Sequence, residues 1–199
     1  MNNDLRICFV GDSLVAGVGD TEALGWSGRL TVDAYTAGLA PTAYNLGVRR
    51  QTSTDIAGRW QAECRQRLPR EVAGRVVFSF GVNDTMLIEG RTRVDAGTSV
   101  ANLREMLAGA HAESWPVLVV GPPPVDDVQH NRRTAGLDER FGRVCAEHDV
   151  PYVSGCHRLA ADPVWTAQVR AGDGAHPGAA GYAVFAELVL PVWREWLGY

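Results

Sequence analysis

The sequence predicts a single α/β domain in which helices cover both faces of a parallel, five-stranded sheet. Short, continuous apolar segments alternate along the chain with longer segments whose apolar residues recur every three or four positions. Continuous apolar segments are typical of strands buried on both faces, and their alternation with helices is typical of a parallel sheet. The chain of 199 residues shows no internal repeat and no linker, so we expect one domain over residues 1–199.

Five apolar segments are the predicted strands. In chain order they cover residues 5–11, 42–47, 75–81, 116–121 and 150–155. Each of them ends in a glycine, which permits the chain to turn directly after the strand. Helical spacing of apolar residues is found at 56–68, 100–110, 137–148 and 182–193. Together these elements predict a three-layer α/β/α, flavodoxin-like fold, with helices divided between the two faces of the sheet.

Charge and hydropathy exclude several classes of protein. With a net charge of −4, the chain has no basic excess to neutralise phosphates, which argues against nucleic-acid binding. No apolar segment approaches the roughly 18 residues that a membrane span needs, and the first residues lack the pattern of a secretion signal. We therefore expect a cytoplasmic protein, although a mature chain whose signal has been removed would read the same way. The histidines and cysteines lack the spacing of a metal site, so we expect no metal and no cofactor.

Polar side chains suited to nucleophilic catalysis follow the predicted strands. Ser13 comes after the first strand, Asn83 follows the third, and the late segment "DGAHPGAAGY" holds Asp173 and His176. Because the carboxyl ends of parallel strands share one edge of the sheet, the loops that follow them meet there. A serine hydroxyl is a weak nucleophile unless a histidine accepts its proton and a carboxylate orients that histidine. Taken alone, each of these four residues is more often a turn or cap residue. Their joint placement at one edge of the sheet, however, favours a catalytic site.

Four short blocks resemble, in the same order, the signature blocks of the SGNH (GDSL) hydrolases. They are "GDSL" at residues 11–14, Gly47, "GVND" at 81–84 and "DGAHP" at 173–177. The resemblance extends over nearly the whole chain, from residue 7 to residue 182. It implies hydrolysis of an ester through a covalent acyl-serine.

The resemblance also implies a role for each matching residue. Ser13 is the implied nucleophile, His176 the implied base, and Asp173 the residue that orients His176. The implied oxyanion hole consists of the backbone N–H groups of Ser13 and Gly47 together with the side-chain amide of Asn83. We therefore expect a machinery made of protein groups alone.

The leading hypothesis is a serine esterase whose partner is a small-molecule ester with a small to medium acyl group. Thioesterase, lysophospholipase or carbohydrate deacetylase activity would use the same residues, and a non-catalytic ligand-binding domain is a further alternative. A nucleotide- or flavin-binding protein of similar architecture is disfavoured, because the phosphate-binding glycine motifs are missing. We expect the loops at 84–98 and 122–136 to select the substrate. The sequence leaves the oligomeric state open.

Five further side chains near the expected site have two interpretations each. Trp26 and Trp165 either border the acyl pocket or belong to the core, which is the more common place for a tryptophan. His130 either contacts the substrate or is a solvated loop residue, and we expect the second. Asp12 and Asp84 flank the site, and we expect them to bind loop and cap groups of the backbone rather than the substrate.

Overall fold

A parallel sheet of five strands forms the centre of the protein, whose computed structural model describes residues 4–199. In chain order the strands are β1 (Leu5–Gly11), β2 (Thr42–Gly47), β3 (Ala73–Ser79), β4 (Leu87–Ile88), β5 (Arg91–Thr92), β6 (Val117–Val120) and β7 (Tyr152–Val153). The sheet has the order β2-β1-β3-β6-β7, and each neighbouring pair is parallel. The strands β4 and β5 form a separate antiparallel hairpin.

Helices surround this sheet. In chain order they are α1 (Gly25–Thr36), α2 (Ser53–Ala57), α3 (Trp60–Arg67), α4 (Val82–Thr85), α5 (Ala96–Ala112), α6 (Val128–Glu147), α7 (Cys156–Ala160), α8 (Pro163–Ala171) and α9 (Ala179–Leu197). Within residues 4–199, no helix combines the length and the apolar character that crossing a bilayer requires.

Alternate residues of the strands face opposite layers of helices, which gives the predicted α/β/α arrangement. On β1, Cys8 and Val10 pack into one apolar cluster with α3, α5 and α6. The neighbouring residues Ile7 and Phe9 pack into a second cluster with α1, α8 and α9. All four side chains are almost completely buried. Burial of both faces explains why the strands are continuous apolar segments in the sequence.

The five predicted strands are confirmed, and their ends differ from the prediction by at most two residues. The helical spacing at 56–68 is divided between α2 and α3, because the chain leaves the first helix at Gly58. The other three helical segments fall on α5, α6 and α9. The helices α1, α4, α7 and α8 and the β4–β5 hairpin were not predicted.

The end of β2 approaches the loop after β1 so closely that no side chain fits between them. Gly11 and Gly47 are register partners, and the N–H group of Val48 donates to the carbonyl oxygen of Gly11 at 3.0 Å. A Cβ atom on Gly47 would overlap the backbone nitrogen of Ala16 and would lie 2.7 Å from the carbonyl oxygen of Asp12. The loop after β1 is therefore held by direct backbone contact with β2.

Substitution of Gly47 by alanine tests this contact. The added methyl group must displace the loop after β1, so we expect Gly47→Ala to lower the free energy of unfolding by about 1–3 kcal/mol. Gly136→Ala is the control, because Gly136 lies inside α6 with open space around its Cβ position, and alanine favours a helix. Urea unfolding followed by circular dichroism measures both variants. Equal stabilities of the two would contradict the proposed contact.

Candidate active site

The loop after β1 carries Ser13 and is folded into a tight turn. The backbone N–H groups of Ala16 and Val18 donate to the carbonyl oxygens of Asp12 and Ser13, at 3.0 and 3.1 Å. The hydroxyl group of Tyr182, on α9, donates to the carbonyl oxygen of Val18 at 2.8 Å. Ser13 is buried, with only 7% of its surface exposed. The turn and the last helix together fix the position of the serine at the carboxyl edge of the sheet.

Ser13, His176 and Asp173 form a continuous chain of hydrogen bonds. His176 Nε2 lies 2.7 Å from Ser13 Oγ, and His176 Nδ1 lies 2.7 Å from Asp173 Oδ2. The serine and the histidine are 163 positions apart in the sequence. Three residues selected from the sequence for their chemistry are thus in direct contact.

The turn at residues 173–176 sets the distance between carboxylate and imidazole. The backbone N–H groups of Ala175 and His176 donate to Asp173 Oδ1 at 3.0 and 2.9 Å. Burial acts to raise the pKa of Asp173, but the hydrogen bonds from the His176 ring and from these N–H groups outweigh it and lower the pKa to about 2. An ionised carboxylate can only accept, so His176 Nδ1 carries a proton and Nε2 offers its lone pair to the hydroxyl of Ser13.

Asn83 lies near the serine on the short helix α4, after the end of β3. Its side-chain amide donates to the carbonyl oxygen of Gln51 at 3.0 Å and to Asp12 Oδ2 at 3.3 Å. Asp12 is buried, and its Oδ1 atom accepts the backbone N–H of Leu14 at 2.9 Å. The Asp12 carboxyl group therefore connects the loop of Ser13 with the amide of Asn83, as a loop ligand.

The N–H group of Gly47 is engaged at the end of its own strand. It donates to Asn45 Oδ1 at 3.0 Å, and the amide group of Asn45 donates to the carbonyl oxygen of Val15 at 2.7 Å. Gly47 thus packs against the loop of Ser13, but its N–H group must leave Asn45 before it can bind a ligand. Of the three expected oxyanion donors, Gly47 and Asn83 are thus both engaged in hydrogen bonds within the protein.

Ser13 and His176 line a cleft of about 540 Å³. Its apolar wall includes Met86 and Ile88, whose side chains are about half exposed. Three arginines also line the cleft, and they are Arg49, Arg50 and Arg93. Within residues 4–199, no group of three or more His, Cys, Asp or Glu side chains is arranged to hold a metal ion. A cleft of this volume is typical of sites for small molecules.

The loop at 84–98 forms part of this cleft, because it contains the β4–β5 hairpin. No residue of 122–136 lines the cleft, so the expectation that this segment selects the substrate is not met. Here α6 begins, and His130 Nε2 lies 2.9 Å from the carbonyl oxygen of Val82 and 3.1 Å from Thr85 Oγ1. His130 is half-buried between α6 and α4, and both interpretations from the sequence were wrong. Its ring braces the helix that carries Asn83.

Trp26 and Trp165 belong to the core. Trp26 packs against the rings of Phe9 and Phe185, and Trp165 Nε1 donates to the carbonyl oxygen of Pro124 at 3.1 Å. Both tryptophans are almost completely buried, and neither lines the cleft. The core interpretation is confirmed for both.

Asp84 is a buried cap that joins three helices beside the site. Its carboxylate accepts the backbone N–H of Ser53, which begins α2, and the hydroxyl group of Ser99 on α5, both at 2.7 Å. Burial raises the pKa of Asp84, and these two hydrogen bonds oppose the rise. Asp84 itself lies in α4, so its structural role fixes the helix of its neighbour Asn83.

Asp12 should make the stability of the protein depend on pH. Burial raises the pKa of Asp12 from 3.8 to about 7, and the nearby charge of Asp84 adds to the rise. A raised pKa contributes stability that is fully present below pH 3.8 and is lost as the pH rises through about 7. Asparagine does not titrate, so Asp12→Asn should flatten this part of the pH profile, by up to about 4 kcal/mol between pH 4 and pH 8.

Urea unfolding at several pH values measures this difference. The control is Asp149→Asn, which removes an exposed carboxylate at a positive φ that asparagine also accepts. The free energy of unfolding of wild type relative to Asp12→Asn should fall between pH 4 and pH 8. Parallel pH profiles for the wild type and Asp12→Asn would show that Asp12 does not titrate between pH 4 and pH 8.

Comparison with known proteins gives one family and a set of structural neighbours. The model of the GDSL-like lipase/acylhydrolase family matches residues 9–184. A lipase/acylhydrolase from Enterococcus faecalis is 24% identical, with a TM-score of 0.73 over 96% of each chain. TesA is 23% identical, with a TM-score of 0.78 over 96% of this chain and 99% of that chain. Axe2, an acetylxylan esterase from Geobacillus stearothermophilus, is 17% identical, with a TM-score of 0.72 over 100% of this chain and 97% of that chain.

A search of the curated proteins finds no match. The three structural neighbours share the fold over nearly the whole length of both chains. The family match includes the loop of Ser13, the helix of Asn83 and the turn that holds Asp173 and His176. The chain therefore belongs to the GDSL-like lipase/acylhydrolase family, a family of ester-bond hydrolases.

Proposed function

We propose that this protein is a serine esterase that hydrolyses small to medium acyl esters through an acyl-serine intermediate. The observation that carries the proposal is the chain of two hydrogen bonds, each 2.7 Å long, from Ser13 through His176 to Asp173. It presents a hydroxyl group, a base with a free lone pair and an orienting carboxylate in the order that acyl transfer needs. A binding domain without catalysis would not require this arrangement.

In the first half of the reaction, Ser13 Oγ attacks the carbonyl carbon of the ester while His176 Nε2 accepts the hydroxyl proton. Asp173 stabilises the imidazolium ion that forms, since its carboxylate already accepts a hydrogen bond from Nδ1. The tetrahedral intermediate then collapses as the bond between carbon and the leaving oxygen breaks. The proton on Nε2 passes to this oxygen, and the alcohol departs.

In the second half, a water molecule attacks the acyl-serine and gives one proton to His176 Nε2. The second tetrahedral intermediate breaks its bond to Ser13 Oγ, and the proton returns from Nε2 to the serine. The acid product leaves with one oxygen atom from water, and Ser13 and His176 are in their starting states. The reaction therefore needs no group beyond the protein, the ester and water.

Both intermediates carry a negative oxygen that needs hydrogen-bond donors. We assign this role to the backbone N–H of Ser13, which has no acceptor within residues 4–199, and to the amide of Asn83. The amide would exchange one of its present bonds, the longer of which is 3.3 Å to Asp12, for a bond to the oxyanion. Gly47 would join them only if its N–H group leaves Asn45.

The cleft supports a substrate of limited size. Its volume of about 540 Å³ is suited to a small molecule, and Met86 and Ile88 offer an apolar surface to an acyl chain. Carbohydrate esters, thioesters and lysophospholipids are alternative substrates that would use the same catalytic residues. A panel of such compounds therefore belongs to the first test.

Removal of the Ser13 hydroxyl group should abolish turnover. With 4-nitrophenyl butyrate as substrate, we expect Ser13→Ala to lower kcat/KM by about 10³-fold or more, because no other group can form the acyl intermediate. A serine-reactive phosphonate should add one label to the wild type and none to the variant, as measured by mass spectrometry. Ser114→Gly is the control, since Ser114 is exposed, has a positive φ and precedes β6 at the opposite edge of the sheet. Turnover by Ser13→Ala at the rate of this control would refute the proposal.

Loss of the Asn83 amide should reduce the rate of the chemical step. We expect Asn83→Ala to lower kcat by about 10²-fold with little change in KM, because the donor acts on charge that develops only in the transition state. The matched control is Asn102→Ala, which removes an amide that donates to Ser53 and Thr54 outside the cleft. Steady-state kinetics with the same ester measures both variants. Similar losses in both would indicate general damage rather than a missing oxyanion donor.

A further inference from the structure

We propose that the substrate of this esterase carries an anionic group, a carboxylate or a phosphate, that binds to the guanidinium groups of Arg49, Arg50 and Arg93. The inference rests on the proposed function of Ser13, and it adds a substrate class to that function. It starts from the arginines of the cleft, which catalysis of ester hydrolysis by Ser13 and His176 does not require.

The three cleft arginines have no acidic partners. Seven arginines of the protein pair with carboxylates, such as Arg29 with Asp20 and Arg59 with Glu63. Within residues 4–199, no carboxylate forms an ion pair with the side chains of the three that line the cleft. Three guanidinium groups therefore line the same cleft without a direct ion pair, and the charge of Arg93 also acts to lower the pKa of the nearby Asp55 and Asp84.

The carboxyl groups of the cleft offset only part of this charge. Asp173 is bound to His176, and Asp12 is buried against the N–H of Leu14 and the amide of Asn83. Both acids are thus committed within the site. The chain as a whole has a net charge of −4, so the excess of arginine at this cleft is a local feature that would attract an anionic ester.

The backbone at Arg50 forms a turn that Arg93 holds in place. Arg50 has a φ of +65°, in the left-handed region, which costs a residue with a β-carbon about 1–2 kcal/mol. Arg93 Nη1 donates to the carbonyl oxygen of Arg50 at 2.9 Å and holds this strained turn in place. Glycine would fit the turn without strain, yet a long cationic side chain stands there at the cleft. The bond from Arg93 therefore fixes the backbone from which the Arg50 side chain extends at the cleft.

The chemistry of the guanidinium group defines the ligand. Its planar array of donors matches the oxygen atoms of a carboxylate or a phosphate, and both anions can be held by two parallel hydrogen bonds. Met86 and Ile88 line the same cleft and favour an apolar portion of the ligand. The substrate class is therefore an ester with an apolar segment and an anionic group, located on either the acyl part or the leaving alcohol.

Two matched pairs of esters test the inference and separate these locations. For the acyl part, the pair is mono-(4-nitrophenyl) glutarate, which carries a carboxylate, and 4-nitrophenyl valerate, which does not. For the leaving part, the pair is 4-(butyryloxy)phenyl phosphate and phenyl butyrate. Each pair is measured with the wild type, Arg49→Gln, Arg50→Gln and the double variant. Arg143→Gln is the control, because it removes the same charge from an exposed position on α6, outside the cleft.

We expect the preference in kcat/KM for the anionic ester over its neutral partner to fall about three- to tenfold in each single variant, as for a partly exposed ion pair. The fall should be larger in the double variant and absent in Arg143→Gln. An increase in ionic strength from about 0.05 to 0.5 M should weaken the preference of the wild type, since salt screens exposed charges. The pair of esters whose preference falls in the arginine variants shows whether the anion belongs to the acyl part or to the leaving part.

Two negative results are distinguishable. If the neutral esters are hydrolysed in a Ser13-dependent manner but neither pair shows a preference that responds to Arg49→Gln or Arg50→Gln, the inference is wrong and the proposed function stands. If the wild type turns over no ester and the phosphonate does not label Ser13, the proposed function fails and this inference fails with it.

Discussion

The hydrogen bond between Ser13 Oγ and His176 Nε2 depends on the arrangement of the sheet, the loops and the last helix. It joins two side chains that are 163 positions apart, and a parallel sheet makes this possible because its strands all end at one edge. The last helix begins directly after the turn of His176, and Tyr182 on that helix binds the carbonyl oxygen of Val18. A Cβ atom on Gly19 would lie 2.7 Å from the carbonyl oxygen of Pro177, so the two loops also meet backbone to backbone.

Two carboxyl groups near the serine have opposite environments, and the difference defines their roles. The side chain of Asp173 is about half exposed, and three donors on its own turn outweigh the effect of burial, so the group is an anion at neutral pH. Asp12 is completely enclosed, and burial dominates over its two donors, which raises its pKa to about 7. The first can stabilise an imidazolium ion during the reaction, whereas the second holds a loop and an amide in place. Two aspartates of one site thus differ in charge and in role, because Asp173 is ionised at neutral pH whereas the pKa of Asp12 is about 7.

The sequence predicts the sheet well because each strand is buried on both faces and is bounded by glycine. It predicts less where the signal is weak: α1 begins without a side-chain cap and contains Gly25 and Gly28, and the hairpin strands have two residues each. The helix α8 could have been found, since Asp162 caps its first N–H groups and Pro163 stands at its start. The hairpin was therefore missed because it is short, whereas α1 and α8 have buried residues at helical spacing, Trp26, Leu30 and Ala34 in one and Trp165 and Val169 in the other, that the prediction did not use.

In the site, too, the sequence predicts some residues and contacts but not others. The contact of Ser13, Asp173 and His176 follows from chemistry that is visible in short motifs. By contrast, the engagement of the Gly47 N–H depends on a neighbouring side chain, Asn45, that no motif indicates. The arginines look scattered in the sequence, and Arg93 is 43 positions from Arg50, so only the fold reveals that they share a cleft.

Packing divides the cleft into a part that cannot change and a part that can. On the side of β1 and β2, backbone touches backbone, and any added carbon atom at Gly11 or Gly47 would displace the serine. On the side of the hairpin and the turn before Gln51, the cleft is lined by side chains that are exposed or half-buried, such as Met86, Ile88 and the three arginines. The hydrogen bonds of the catalytic residues run among Ser13, His176 and Asp173, so we expect substitutions there to alter substrate choice with little change in the catalytic geometry. The three cleft arginines lie in this variable part, and this position suits them to the selection of an anionic substrate that we propose.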